Sequence, residues 1–403
     1  MTAARVRVSG PPNSNFLVGY PGISATLPRI EGKVEIRPAA GHSAPFHISY
    51  VSIGLYRRET VHPHADTKIV NHLAAPRKEW ADLVGKELML YRCHPGISHE
   101  EILYMDLPFV LFIPFNRPGY DAVRLPPATI SLPSRTLETY YELVVSLHQG
   151  NQNNGEMKRF AFPVPLCRYD SLSTFGMYNV QEVQEKTTDH LVNLGIKLPR
   201  WSYGPGDTVQ ISIYVSPNPD WSKAKRVSIR NISVVIEEAI TFNPEGDEPK
   251  TVINKIQRQT MSVQRKLPAE GFQTHCALSF PRKEARDNDG CLPRQKQGFP
   301  LYHVSGFTTT AYLYKIEYFL TVKATFSAAR DITLRQRIVV CPLDHESCKE
   351  EMDAIEQAAN DAKYVNPDNP MLPSPVIIRP KDRNALHKLG MTYVGTDRKL
   401  LIE

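Results

Sequence analysis

Six cysteines, three tryptophans and no long apolar run characterise this 403-residue chain by scarcity. The cysteines, at positions 93, 167, 276, 291, 341 and 348, are scattered through strand-like stretches. That scatter excludes a disulfide framework and predicts reduced thiols in a cytosolic setting. No apolar stretch approaches the roughly 18–20 residues that a membrane-crossing helix needs. The opening residues, MTAARVRVSGPPNSN, hold no apolar core of the kind a secretory signal carries. The signatures of common catalytic machinery are also missing: there is no Gly-x-Ser-x-Gly elbow, phosphate-cradling glycine loop or His-Glu-x-x-His pair. Long helical periods are scarce, which excludes a doubly wound α/β sheet.

What the chain has in abundance is punctuation. Thirty-three prolines and twenty-two glycines separate short β-branched and aromatic runs. In HISYVSIGLY, Val51, Ile53 and Leu55 share one face. In LETYYELVVSL, Tyr141, Leu143, Val145 and Leu147 do the same. WSYGPGDTVQISIYV places Val209, Ile211, Ile213 and Val215 opposite Gln210, Ser212 and Tyr214, after a Gly204-Pro205-Gly206-Asp207 turn. Period two of this kind predicts half-buried strands, and this stretch reads as the opening hairpin of a second antiparallel sandwich. In VSIRNISVVIEEAI the parity switches between Val227/Ile229 and Ile232/Val234/Ile236, predicting a bulge near Arg230.

Helical spacing is clear only in HESCKEEMDAIEQAANDAKYV, where Met352, Ile355, Ala359 and Ala362 form a narrow stripe that NPDNP stops. A second helix is predicted over APRKEWADLVG. The fold class is therefore all-β, two tandem sandwiches of the immunoglobulin type with a short peripheral C-terminal helix. The expected division is 1–170 for the first domain, 171–187 for a linker and 188–344 for the second domain. Residues 345–365 form the helix, and 366–403 a Pro-rich tail with the short apolar runs PVIIRP, MTYVG and KLLIE.

Three motifs in order carry a family resemblance. MDLPFVLFIPFNRPGYDAVRLPPATISLPSRTLETYYELVVSL resembles the arrestin N-domain pattern, and YGPGDTVQISIYVSPN the strand that opens the arrestin C-domain. With GKVEIRP…HISYVSIGLYRRE and the insertion APRKEWADLVGKELMLYRC, residues 10–342 look like a fungal α-arrestin, an arrestin-related trafficking adaptor. The resemblance implies a non-enzymatic protein without cofactor or metal. It implies partners: cytosolic tails of plasma-membrane transporters, and a HECT-type ubiquitin ligase that marks them for endocytosis. It implies a cytoplasmic protein recruited to plasma-membrane, endosomal and Golgi surfaces, itself ubiquitinated on a lysine, with Lys250, Lys255 and Lys266 as candidate acceptors. Long arrestins also hold a C-terminal strand against the N-domain, which PVIIRP, MTYVG or KLLIE would do here. The chain departs from the family in one respect. Ligase binding uses Pro-Pro-x-Tyr segments; PPNS and PPAT lack the tyrosine, and FPLY lacks the first proline. A retromer-like cargo-sorting arrestin and an anionic-lipid-binding membrane-surface module are the alternative readings.

Charge locates the candidate site. Residues 200–345 carry twenty cations against fourteen acids, whereas the flanking segments are nearly balanced. SKAKRVSIR supplies Lys223, Lys225, Arg226 and Arg230 without an acid, and KTVINKIQRQTMSVQRK supplies Lys250, Lys255, Arg258, Arg265 and Lys266, also without one. Such runs make a basic surface suited to acidic tails or anionic lipid, although edge lysines also serve to deter aggregation. The runs have few interleaved aromatics and no accompanying nucleic-acid module, so nucleic acid is not an expected partner. Cys341, His345 and Cys348, and separately His62, His64 and His72, have the residue types of zinc ligands in irregular spacing, and neither set is predicted to bind metal.

Overall fold

The structure is a computed structural model. It describes residues 4–11, 16–38, 45–61, 78–115, 130–132, 137–150, 155–164, 166, 175–188, 191–220, 226–281 and 306–380. The first half of the chain forms β1 (Ala4–Ser9), β2 (Leu17–Val18), β3 (Arg29–Pro38), β4 (Phe46–Val61) and β5 (Lys78–Arg92). It continues with β6 (Glu100–Ile102), β7 (Tyr104–Phe112), β8 (Ile130–Leu132), β9 (Leu137–Gln149) and β10 (Glu156–Val164). The helical turn α1 (Phe175–Tyr178) precedes β11 (Glu182–Thr188), β12 (Val192–Leu198), β13 (Ser202–Tyr203) and β14 (Thr208–Pro217). Then follow β15 (Ser228–Phe242), β16 (Lys250–Lys266), β17 (Phe272–Ser279), β18 (Thr309–Thr310), β19 (Tyr314–Ser327) and β20 (Ile332–Val340). The helix α2 (His345–Ala362) and a last strand, β21 (Val376–Ile378), close the described chain.

Four sheets make two all-β sandwiches. In the first, the order β1-β3-β7-β21 faces β10-β9-β4-β5, with β2, β6 and β8 on the flanks. In the second, β11-β12-β14-β17 faces β13-β20-β19-β15-β16, with β18 beside β19. The alternation read from sequence is the burial pattern found. Val51, Ile53 and Leu55 of β4, and Tyr141, Leu143, Val145 and Leu147 of β9, are buried in the first core. Val209, Ile211, Ile213 and Val215 of β14 are buried in the second. Removing such side chains from water drives the collapse, at roughly 1.5–3 kcal/mol for each large aliphatic residue.

The parity switch in β15 is a bulge. Ile229 pairs with Phe326 of β19 and Asn231 with Thr325, so Arg230 is the extra residue. Inserting it lets Val227 and Ile229 share the core with Ile232, Val234 and Ile236, since one added residue restores the inward parity. Thr325 repairs the interrupted ladder: its hydroxyl accepts from the Asn231 amide at 3.1 Å and donates to the Asn231 carbonyl at 3.3 Å.

Two expectations are corrected. The stretch APRKEWADLVG is not a helix: from Lys78 onward it is β5, laddered to β4 between Val61↔Lys78 and Tyr50↔Arg92. Residues 75–77 lie outside the described residues. Helix-favouring composition yields here to pairing along a long partner strand. The residues at 85–87 that have no partner on β4 are absorbed at Gly85, whose φ of +82° a side chain would strain. WSYGPGD does not open a hairpin either. β13 pairs in parallel with β20 in one sheet (Ser202↔Val339, Tyr203↔Val340), while β14 lies in the opposite sheet between β12 and β17. The turn crosses between layers because Gly204 lies against the chain leaving β20; a Cβ there would stand 1.7 Å from the Leu343 carbonyl oxygen.

The helix α2 lies outside the sheets and packs on the first sandwich. Met352 and Ile355 of the predicted stripe join Ala354 and Ala358 against the first core, and Cys348 is buried in it. Asp344 caps its N-terminus, accepting from the Ser347 amide at 2.8 Å. Replacing Thr325 by valine removes both repairs of the β15 bulge at unchanged shape. It should lower unfolding free energy by about 1 kcal/mol, read from chemical denaturation, because the Asn231 amide loses its partner.

Candidate functional site

Three features outside the cores have the charge or hydrogen bonding of an interaction site: the face of the second sandwich around β16, the junction between sandwiches, and the edge closed by β21.

β16 is the edge strand of its sheet, laddered to β15. Its 17 residues span roughly 50 Å at about 3.3 Å per residue. Two register shifts break the ladder, leaving Ile256 and a stretch at Val263–Gln264 without partners on β15. The structure divides the predicted cations by these breaks. Arg265 and Lys266 lie opposite Ile229 and Ser228, and so gather with Arg226 and Arg230 at one end of the sheet; all four are exposed. Lys255 and Arg258, also exposed, lie mid-strand opposite Glu237 and Val235. Lys250, half-buried, sits at the far end opposite Phe242. Lys223 and Lys225 lie outside the described residues, as do His62, His64 and His72. The seven of these residues that the structure describes are therefore not one patch but an end cluster, a middle pair and a distant lysine.

Cations that the sequence reading missed extend the middle pair. Cross-strand rows run Arg258–Val235–Thr321–Arg335 and Lys255–Glu237–Phe319–Arg337, and cross-strand partners share a face. Arg335 lies over the Phe319 ring at 3.6 Å and reaches Glu237 at 3.2 Å. Arg337 and Lys315 both reach Glu317, at 3.4 and 2.9 Å, and Lys323 reaches Asp331 at 3.2 Å. The face thus carries Lys255, Arg258, Lys315, Lys323, Arg335 and Arg337 against Glu237, Glu317 and Asp331. It is basic, and its cations are exposed or nearly so while Glu237 and Glu317 are half-buried, so that the cations remain open to an anionic partner. Alternation in ITLRQRIVV had already put Arg335 and Arg337 on the polar side. Only the register brings them beside β16.

At the junction, Arg57 and Glu59 continue the inward parity of Val51, Ile53 and Leu55 in β4. Glu59, with no exposed surface, accepts from the Leu313 amide at 2.8 Å and the Tyr312 amide at 3.3 Å in the second sandwich. Arg57 lies 3.3 Å from Glu59 and stacks on Trp80, which stacks in turn on Tyr312. Thr139 and the fully buried Tyr314 share a hydrogen bond of 2.6 Å. Burial raises the Glu59 carboxyl above its ordinary value, and Arg57 and the two amides offset part of that. The second clasp is Asp207. Its carboxylate accepts from the Gly204 amide at 2.9 Å and from the His345 amide at 3.2 Å, and pairs with Arg200 at 3.1 Å. Nearby, the Tyr20 hydroxyl donates to the buried Glu351 of α2 at 3.2 Å.

Cys341 and Cys348 are buried thiols that are not joined in a disulfide. Their mutual hydrogen bond, then burial, pushes Cys348 well above the usual thiol range, so it stays protonated and unreactive. Among the described residues no three His, Cys, Asp or Glu side chains are grouped to hold a metal ion. Among them, too, no helix is long and apolar enough to cross a membrane.

The C-terminal run PVIIRP closes the first sandwich. β21 pairs antiparallel with β7 (Val376↔Asp106, Ile378↔Tyr104), the Leu103 amide donates to the Ile378 carbonyl at 2.8 Å, and Ile378 is buried. Arg379 then holds Glu100 at 2.8 Å. Burial acts to raise Glu100, but Arg379 and the Tyr91 hydroxyl outweigh it and hold the carboxyl below its ordinary value. MTYVG and KLLIE lie outside the described residues.

Residues 188–345 match the family model described as the arrestin (or S-antigen) C-terminal domain. No curated protein matches the chain. The matched span is less than half of the chain and takes in the second sandwich from β12 to β20, for which it supports an arrestin-like all-β fold. Members of that family are in general non-enzymatic adaptors that bind cargo proteins.

Three measurements follow from this geometry. Glu59→Ala leaves the buried Leu313 amide, the Tyr312 amide and Arg57 without their acceptor and should cost about 3–5 kcal/mol in thermal or chemical unfolding. Because the folded-state carboxyl is raised, the fold binds that proton more tightly than the unfolded chain. Stability therefore rises as pH falls from above the raised value towards the ordinary 4.5, and Glu59→Gln should flatten that rise. Deleting residues 366–403 should speed hydrogen exchange at the Leu103 amide while leaving β14 amides protected; equal protection in both chains would refute the docking of β21.

Proposed function

We propose that the protein is a cargo adaptor of the α-arrestin type, binding acidic cytosolic segments of plasma-membrane transporters and directing their ubiquitin-dependent endocytosis through a HECT-type ligase. The observation that carries this reading is the basic face built by Lys255, Arg258, Arg335 and Arg337 beside the exposed edge strand β16. An acidic tail laid across it makes several simultaneous ion pairs with these cations. In this reading 1–170 and 188–344 are the two domains, joined through 171–187, of which β11 from Glu182 already belongs to the second sandwich, with the helix at 345–365 and the tail at 366–403 tying the second domain to the first. Lys255 and Lys266 are exposed and accessible to a ligase; Lys250, half-buried, is a poorer acceptor. Membrane recruitment would follow cargo, with the end cluster at Arg226, Arg230, Arg265 and Lys266 adding attraction to anionic lipid.

The test is binding of the purified protein to a panel of acidic transporter segments at ~50 and ~200 mM salt, which screens exposed charges differently. Lys255→Glu with Arg258→Glu is compared with Arg265→Glu and Lys266→Glu. Salt-sensitive binding that drops about tenfold or more in the middle pair supports the reading. Binding unchanged in both variants overturns this site. Binding confined to anionic vesicles, lost with the end cluster, favours the lipid-surface alternative.

A further inference from the structure

On β16, Ile253, Lys255 and Arg258 stand opposite Ala239, Glu237 and Val235 of β15. These β15 residues have the parity opposite to Ile236 and Ile240, which enter the core, so all three rows lie on the outer face. On β15 they are evenly spaced by two residues, because Ile256 is the residue of β16 that the ladder leaves unpaired. Ile253 is a large apolar side chain left 52% exposed. Lys255 and Arg258 are exposed, and among the described residues neither makes an ion pair. Glu237, the acid opposite Lys255, is taken instead by Arg335 at 3.2 Å and by the Thr321 hydroxyl, which donates at 2.9 Å.

β16 ends its sheet, so the amides and carbonyls of alternate residues point away from β15. Among the described residues no backbone hydrogen bond meets them between 251 and 258. β17 comes alongside farther on, where the Cys276 thiol donates to the Gln259 side chain at 3.0 Å and Thr274 approaches Met261 at 4.0 Å. Charges on an open edge deter pairing with a strand of the same sign. Lys255 and Arg258 therefore turn away a basic strand, the β16 of a second copy included. An acidic strand meets attraction at the same two positions.

We propose that an acidic segment binds residues 251–258 of β16 as an added strand, extending the sheet β13-β20-β19-β15-β16 by one. This rests on the cargo-adaptor reading for the origin of the segment, and adds its conformation and its residue pattern. A regular strand faces β16 from outside as β15 does from inside, so positions two apart fall opposite Ile253, Lys255 and Arg258. The segment that fits has an apolar residue and two acids at that alternate spacing. The pattern is read in either chain direction, since an edge accepts parallel and antiparallel partners alike. Main-chain hydrogen bonds supply the affinity, and the three alternate side chains supply the selection.

The test adds synthetic peptides containing Ile-Thr-Glu-Thr-Glu, or the reverse order Glu-Thr-Glu-Thr-Ile, to the whole protein at ~50 mM salt. At least one should bind and slow hydrogen exchange across residues 250–258. Methylating the backbone nitrogens of one alternate set of its residues should weaken it about tenfold or more, while methylating the other set leaves it bound, because only one set faces β16. Ile253→Ser, which changes an exposed side chain, should weaken binding too. Binding that falls with Lys255→Glu and Arg258→Glu but ignores methylation of either set overturns strand addition and leaves the charge-based cargo reading standing. Failure of both peptides while acidic transporter segments still bind overturns it in the same way. Failure of the transporter segments as well removes the reading on which it rests.

Discussion

The arrangement of the two sandwiches depends on one crossing, where the chain leaves β20 and passes over the turn before β14. Gly204 is the residue that permits it, because the Leu343 carbonyl occupies the space where a Cβ would stand. Asp207 then ties the crossing together, bonding Gly204 within its own turn, Arg200 before it and the first amide of α2. Burial raises the Asp207 carboxyl above its ordinary value, and the two backbone amides and the Arg200 guanidinium offset part of that cost in this geometry. With it in place, Cys341, Leu343 and Cys348 enter the first core, although β20 itself is built into the second sandwich. The helix and the tail strand reach the first sandwich because of that exit.

Glu59 makes the reciprocal contact from the other side. Its carboxylate accepts from the backbone of the second sandwich, while Val61, Ile130 and Leu137 from the first half pack into the second core. Each core thus contains side chains from the other half, and the junction is lined by oriented hydrogen bonds rather than by apolar contact alone. Such a junction tolerates little sliding, since any displacement leaves buried donors without acceptors. β21 adds a further tie by closing one edge of the first sheet, which would otherwise present unpaired backbone groups.

The surfaces divide the labour differently. The outer face beside β16 is basic and charge-laced, and acts over distances set by screening. The segment from Pro370 to Pro375, by contrast, carries no charge.

Most of the fold was legible in alternation. Val209 to Val215, Val51 to Leu55 and Tyr141 to Leu147 declare their inward faces through a period of two, and the parity switch at Arg230 declares its bulge. These signals are local, since each strand carries its own buried side. The segment at 78–92 misled because its composition favours a helix, and only the ladder with β4 overrides that preference. The basic residues were legible as charge but not as a site: register set Arg335 and Arg337 beside Lys255 and Arg258, and separated them from Arg265 and Lys266. Glu59 had a faint signature, an acid on the inward parity, but its partners are amides more than 250 residues away in the chain. The sequence by itself determined the class of fold, the inward faces and the sign of the surface charge, because these depend on neighbouring residues. Tertiary structure alone decided which edge the tail closes, how the layers cross at Gly204 and which cations meet, because these depend on register between strands distant in sequence.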